Sequence, residues 1–332
     1  MDDFFIRKEE EIMKKVLAGI GILSLMVLGA CGQGESAEDE MKTVGALQFV
    51  EHESLDDSYK GFVRGLKEEG FIDGETVKID YHNAQGSQDN LKSISEKMVK
   101  SDPDLMLGVT TVAGQSLLTA TTDIPIVVTC VTDLKEAKLV KSYDKPGGNV
   151  TGTTNMSPVA KQIKLLLSIV PDAKKVGIMY NSGEINSKIQ ADLAIEALEK
   201  AGVEPVVRTV TSTNDVQQVS QTVADEVDGI YLPTDNTFAS AKTLVGDVMK
   251  EKKVPLVAGA INDAKEAGIA TIGINYEELG AQTGRMAAKI LRGEATPADM
   301  PVEESENLEF FVNEEMCEAL GIDPASIKNP EE

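Results

Sequence analysis

The sequence predicts an α/β protein: two similar, doubly wound parallel-sheet lobes joined by a hinge that the chain crosses three times. Three observations carry this. Short apolar runs alternate with stretches of helical periodicity, the pattern of parallel sheets covered on both faces. The alternation runs twice in the same order, the copies about 125–132 residues apart. Residues 271–332 then hold two more strand–helix pairs, too few for a third lobe, so they must return to the first two.

The first half opens with a strand at Thr43–Phe49, "TVGALQF". A helix follows in "LDDSYKGFVRGLKEEG", where Leu55, Tyr59, Phe62, Val63 and Leu66 recur at helical spacing. Next come strand "VKIDYHN", helix "LKSISEKMVKS", strand "DLMLGVTT", a helix through "QSLLTAT", and strand "IPIVVTCVT". The second half repeats the order. Strand Lys175–Asn181 precedes helix "SKIQADLAIEALEKAG", strand "VEPVVRTV", helix "DVQQVSQTVADEV", strand "DGIYLPT", helix "FASAKTLVGDVMKEKK" and strand "VPLVAGA". The first strands open alike, as "KTVG" and "KKVG". "DKPGGNVTG" lacks the Lys-Ser/Thr of a phosphate loop and reads as a glycine turn.

In the last segment, "TIGINYEELGAQTGRMAAKILRGE" reads as a strand and a helix with Leu279, Thr283, Met286 and Ile290 inward, and "LEFFVNEEMCEALGI" as another pair. The simplest wiring gives one lobe residues 43–154 with 276–305 and the other residues 155–275 with 306–332.

A separate segment precedes the first strand. Lys14 and Lys15 lead 13 uncharged residues, Val16 to Leu28. A membrane-spanning helix needs about 20 apolar residues, whereas a positive lead, a short apolar run and a small-residue cleavage site make a secretory signal. Leu28-Gly29-Ala30-Cys31 resembles the lipobox of bacterial lipoproteins. That resemblance implies cleavage before Cys31 and attachment of diacylglycerol to its sulfur. Residues 1–12 place five acids ahead of the lysines, the wrong sign for a signal, so translation is expected to begin at Met13. Residues 1–30 are then the signal, and residues 31–42 the lipidated cysteine with a polar tether, "GQGESAEDE". The expected location is the extracytoplasmic face of the cell membrane, held by lipid. Lipoproteins use more than one acyl chain, as stable anchoring requires.

The chain carries 32 Lys and Arg against 55 Asp and Glu, a net charge of −23. Without residues 1–30, which hold four bases and five acids, the charge is −22. This argues against nucleic acid, whose phosphates demand a positive face. The apolar share, 42%, is ample for a core. Cys130 and Cys317 lie far apart in apolar stretches and read as buried thiols. The two histidines, His52 and His82, make no metal-binding spacing with any cysteine, and no nucleophile elbow appears. The sequence therefore predicts no metal, no cofactor and no enzyme.

Four segments, "VGALQFVEHESLD", the run from "PGGNVTGTTNMSPVAKQ" to "YNSGEINS", "YLPTDNT" and "IGINYEELGAQTGRMAAKILRGE", resemble a known family. It is that of the solute-binding lipoproteins of ABC importers that includes the tryptophan-binding protein TrpX. The likeness runs from about Thr43 to Gly321. It implies a type I periplasmic-binding-protein fold and a monomer that captures a small solute. Aromatic amino acids are that family's best-known ligands, and delivery is to a permease driven by an ATPase. A nucleoside or sugar ligand, or a sensory role on a membrane kinase, stays open. The absence of tryptophan counts against a sugar.

Ligands of such sheets bind beyond the carboxyl ends of the strands, and the candidate contacts lie there. Asp133 and Asp235 each end a strand after a threonine, Thr132 and Thr234, one in each lobe. Both are candidate partners for an α-ammonium, since an unpaired buried charge is costly; helix capping is the competing reading. Asn236 follows Asp235. Ser187 is read as the cap of the helix after Tyr180-Asn181, with Glu184 and Asn186 beside it, where free N–H groups can hold a carboxylate. Thr110 and Thr111 have the same logic in the first lobe. Gln48 is a candidate donor and acceptor, Phe49 a candidate stacking surface, and His52 reads as solvated.

Overall fold

The computed structural model describes residues 41–305 and 308–330. The expected signal, Cys31 and residues 32–40 of the expected tether lie outside them; Lys42, assigned to the tether from sequence, instead opens the first strand. Among the described residues, no helix is long and apolar enough to cross a membrane.

Two six-stranded sheets carry the chain. In the first, β2 (Val77–Asn83), β1 (Lys42–Gln48), β3 (Leu105–Val109), β4 (Ile126–Val131), β5 (Val150–Thr154) and β11 (Glu303–Glu304) lie in that order. In the second the order is β7 (Glu204–Val210), β6 (Lys175–Asn181), β8 (Gly229–Leu232), β9 (Leu256–Ala258), β10 (Ala270–Ile274) and β12 (Leu308–Val312). The two orders correspond strand for strand, as the duplicated pattern implies. Every pairing is parallel except β10 with β12. The chain passes from the first sheet to the second after β5, returns after β10, and closes on the second with β12.

The helices in chain order are α1 (Glu53–Glu68), α2 (Gln88–Lys100), α3 (Thr111–Ala120), α4 (Val159–Ile169), α5 (Ile185–Lys200), α6 (Val216–Ala224), α7 (Asn236–Ser240), α8 (Lys242–Lys252), α9 (Ile261–Ala264), α10 (Tyr276–Leu291) and α11 (Glu314–Leu320). They bury both faces of each sheet. In β3, Leu105, Leu107 and Val109 enter one core while Met106 enters the opposite one. The second sheet divides likewise, with Ile178 and Tyr231 on one side and Met179 and Leu232 on the other. Each such large side chain contributes roughly 1.5–3 kcal/mol on burial, which is why these strands read as continuous apolar runs. Leu279, Thr283, Met286 and Ile290 of α10 all point inward. Cys130 and Cys317 are buried free thiols.

Helix α10 is seated on α1 by four glycines. A methyl group on Gly61 would overlap the Glu277 carbonyl oxygen, and one on Gly280 would overlap that of Ser58. Gly65 and Gly284, one turn further along each helix, are equally confined. The two backbones therefore touch, which fixes Tyr276, the first residue of α10, against the start of α1.

Two elements differ from the sequence reading. Residues 144–152 were expected to form only a glycine turn, yet β5 begins at Val150. Its buried threonines bond within the fold: Thr151 Oγ1 donates to the Met300 carbonyl at 2.8 Å, and Thr153 Oγ1 meets Thr283 Oγ1 at 2.8 Å. The expected single helix from Phe238 to Lys253 is broken at Ala241 into α7 and α8.

Candidate ligand-binding cleft

The carboxyl ends of the two parallel sheets supply the walls of a cleft between the lobes. From the first lobe come His52 and Leu55 at the start of α1, Cys130 and Thr132 at the end of β4, and Tyr276, with Asn155 at the crossing that follows β5. From the second come Asn186 of α5, Thr234, Asp235 and Asn236 after β8, and Asp263 of α9. The part these residues line has a volume of about 20 Å³, room for about one water. It adjoins an outer cavity of about 640 Å³. Phe49 and Val112 form one side of that cavity, Glu184 and Thr213 the other, and Asn236 lines both spaces.

Two residues at the first lobe's strand ends hold backbone conformations that side chains rarely adopt. Thr110 has φ 105° and Cys130 φ 57°. Such strain costs on the order of 1–3 kcal/mol each and persists only where the surroundings enforce it. Cys130 sits where the register of β4 against β5 shifts.

The sequence candidates separate into three groups. Thr132, Asn186, Thr234, Asp235 and Asn236 line the inner cavity. Phe49 and Glu184 line the outer one. Gln48, Thr110, Thr111, Asp133 and Ser187 line neither. Gln48 is fully buried and gives its amide nitrogen to the Val50 carbonyl at 2.9 Å and Asp56 Oδ1 at 2.7 Å, fixing the turn into α1. Thr110 caps α3, accepting from the Ala113 N–H at 3.3 Å. Thr111 Oγ1 is buried with no partner among the described residues.

Asp133 makes a local turn, with Oδ1 accepting from the Lys135 and Glu136 N–H groups, both at 2.9 Å. Asp235 caps α7. Its Oδ1 accepts from Phe238 N–H at 2.9 Å and its Oδ2 from Asn181 N–H at 2.7 Å. Both carboxylates thus accept backbone N–H groups, Asp133 within a turn and Asp235 as the cap of α7. Ser187 is not a cap: α5 starts at Ile185 with Glu184 at the cap position, because the Ser187 hydroxyl donates to the Thr234 carbonyl at 3.2 Å. Glu184 itself accepts from the Asn236 and Thr237 N–H groups at 3.0 and 3.2 Å, and so also caps α7.

Burial and the nearby Glu184 charge push the Asp235 carboxyl well above its ordinary range, against the pull of its two N–H donors. His52 is half-buried in the cleft rather than solvated. Burial holds its imidazole down at about 4, and Nε2 lies 3.3 Å from Asn236 Oδ1 of the other lobe.

Sequence reasoning missed Asn155, Tyr276 and Asp263. Asn155 Nδ2 donates to the Tyr276 hydroxyl at 3.0 Å, tying together the first two crossings of the hinge. Asn155 Oδ1 is buried and accepts nothing from the described residues. Asp263, 3% exposed, has no hydrogen bond or ion pair to its carboxylate among the described residues. Burial pushes it up to about 7, with the Lys242 charge pulling the other way. The signal for Asp263 was an acid within five residues of the end of β9 in "VAGAINDAKEAG".

Two like-wired α/β lobes enclosing a polar cavity between their strand ends define a two-lobed binding protein of type I periplasmic-binding-protein architecture. The sequence matches the family described as ABC transporter substrate binding protein over residues 43–326, and the chain belongs to that family. It is 36% identical to the tyrosine-binding protein of Clostridioides difficile strain R20291 over 97% of this chain and 95% of that one. It is similar to the domain of a Streptococcus pneumonia ABC protein solved in complex with L-Trp, at 37% identity and TM-score 0.83, covering 87% of this chain and 98% of that one. The ligand-free, open structure of a Clostridium difficile substrate-binding protein with adhesive properties matches at 40% identity and TM-score 0.68, covering 87% and 97%.

Proposed function

We propose that this protein captures a small amino-acid-like solute, an aromatic amino acid such as tryptophan or tyrosine, between its two lobes and delivers it to an ABC permease and its ATPase. The observation that carries this reading is the cleft that both lobes wall, whose inner part and adjoining cavity of about 640 Å³ share Asn236. His52, Thr132 and Tyr276 approach from one side, and Asn186, Thr234, Asp235 and Asp263 from the other. A solute touching both walls has more contacts when the lobes are together, and only such differential affinity drives closure. The relatives that bind tyrosine and L-Trp support the ligand class. Closer superposition on the L-Trp-bound domain than on the open relative, despite lower identity, supports a closed arrangement of these lobes.

In this reading Thr132, Asn186, Thr234, Asp235 and Asn236 contact the solute. Phe49 and Glu184 guard its entrance. Gln48, Thr110, Thr111 and Ser187 hold the contact loops in place. The jaws are residues 43–154 with 276–305 and residues 155–275 with 306–332. Lipid on Cys31 tethers a monomer to the outer face of the cell membrane. The chain carries no cofactor and performs no reaction on its cargo.

Calorimetric titration of the purified protein with single amino acids, nucleosides and sugars tests the ligand class. One-to-one binding of an aromatic amino acid is expected, with nucleosides and sugars silent. Silence from every aromatic amino acid contradicts the proposal.

A further inference from the structure

One hydrogen bond across the cleft runs through a titratable group. His52, at the start of α1 in the first lobe, has its Nε2 3.3 Å from Asn236 Oδ1 in the second. The Asn236 amide is fixed in orientation, because its Nδ2 donates to Glu184 Oε2, as does its backbone N–H. Its oxygen therefore faces His52 and can only accept, so Nε2 carries the proton of a neutral imidazole. A second proton would go to Nδ1, where no described residue accepts it, and no described carboxylate pairs with the ring. Burial is the largest influence on His52 and disfavours the imidazolium, as does the Lys242 ammonium of α8, while Asp56 and Glu53 of its own helix favour it. Asp235 before α7, Asp263 of α9, Tyr276 of α10 and Cys130 of β4 line the same space. Burial pushes all four toward their neutral forms. The second lobe thus brings His52 a cation and carboxyls that resist ionising. Closing the lobes takes the ring out of water without a counter-charge, and opening returns it to water, where its ordinary value is about 6.5.

We propose that His52 is a proton-operated latch: as a neutral imidazole it donates to Asn236 and helps hold the lobes on their solute, and on protonation it favours the open state and release. This rests on the two-lobed capture proposed above and adds a regulation of that site. Below about pH 6.5 the open protein holds a proton on His52 that closure must expel, so affinity falls as pH falls, by up to about tenfold per unit. Above that value His52 is neutral in both states and has no effect on the pH profile. His82, the other histidine, is held by Asp80 at 3.0 Å on β2, away from the cleft lining, and serves as an internal control.

The test is calorimetric titration of the full chain, wild type and His52→Gln, at pH 7.5 and 5.5 with L-tryptophan and L-tyrosine, whose own charges do not change over that range. Gln can still donate to Asn236 but cannot take up a proton. On acidification wild type should lose about tenfold more affinity than His52→Gln, a comparison that cancels any contribution of Asp235 and Asp263. An equal loss in the two proteins overturns the latch while the capture reading stands. Carbon-13 NMR of labelled histidine reads the proton itself. The His52 signal, assigned by its absence in His52→Gln and its persistence in His82→Gln, should titrate near 6.5 without solute and below about 5 at saturation, with His82 unmoved. Titration of His52 at one value in both states overturns the proposal, whether or not His52→Gln folds. Should neither amino acid bind, a nucleoside or sugar that does bind serves for the same comparison. If nothing binds, spin-label distances across the cleft at the two pH values decide: opening on acidification in wild type and not in His52→Gln supports the latch, and equal distributions overturn it.

Discussion

The Glu53 carboxylate, in the first turn of α1, lies 2.6 Å from the Lys242 ammonium at the start of α8, and the pair bridges the two lobes. Lys265 adds a second cation at 3.6 Å from Glu53, and Asn262 Nδ2 donates to Asp57 Oδ2 at 3.1 Å. All three contacts exist only while the lobes are together. Glu53→Gln should therefore favour the open state. Ion pairs of this exposure contribute about 0–1 kcal/mol, so affinity should weaken by up to about fivefold, mainly through faster release. Stopped-flow dissociation reads this, and the difference from wild type should shrink at high salt. Unchanged release would remove the pair from the closing mechanism.

The contact of α1 with α10 predicts a contrast among glycines. Gly61→Ala and Gly280→Ala each force a methyl group into the facing backbone, and overpacking of this kind costs about 1–3 kcal/mol. Gly148 has open space beside it, so Gly148→Ala should leave stability within about 0.5 kcal/mol. Urea denaturation of the three variants checks this; equal midpoints would show that the helices can separate at no cost.

Asp133 and Asp235 should separate in the same two assays. Asp133→Ala removes a turn at the surface, and affinity should stay at the wild-type value. Asp235→Ala removes the α7 cap beside the cavity, with a stability loss of about 0.5–2 kcal/mol and weaker binding. A loss of affinity in Asp133→Ala would return that carboxylate to the site.

Asp263 gives the ligand-free protein a pH signature. Its folded-state pKa, about 7, lies above the ordinary 3.8, so the folded state holds the proton more tightly than the unfolded chain. The stability this gives is intact below about pH 4 and is lost as pH rises to 7. Asn cannot ionise, so Asp263→Asn should match wild type near pH 4 and melt higher from pH 7 upward. Asp235, His52, Glu53, Lys242 and Tyr276 face the same cavity or Asp263 itself and are present in both proteins, so the difference between the two melting curves isolates Asp263. A constant difference between pH 4 and pH 8 would refute the assignment.

The fold was legible because its strands are apolar on both faces and its helices keep a 3.6-residue period. β5 escaped because its inward positions are threonines, whose hydroxyls bond to Met300, Thr283 and the Thr132 carbonyl. Polarity in sequence hid burial in space. At the site, position was legible and role was not. Thr132, Asn186, Thr234, Asp235 and Asn236 follow from the strand-end rule, but the same rule cannot tell a carboxylate aimed at a neighbouring N–H from one aimed at the cleft. Asp263 lies within the short helix α9 that follows its strand, and Asn155 and Tyr276 lie at hinge crossings. Their convergence depends on how the lobes are set, which no local pattern encodes.

Closure on a solute is most directly read as a distance between the lobes. Spin labels on Asp89→Cys, beside the first lobe's rim, and Asn214→Cys, beside the second's, leave the buried Cys130 and Cys317 untouched. Double electron–electron resonance should show a longer, broader distribution in ligand-free protein that contracts to a single short distance with saturating L-tryptophan or L-tyrosine. Saturation by calorimetry with an unchanged distance distribution would contradict a clamp that closes on its cargo.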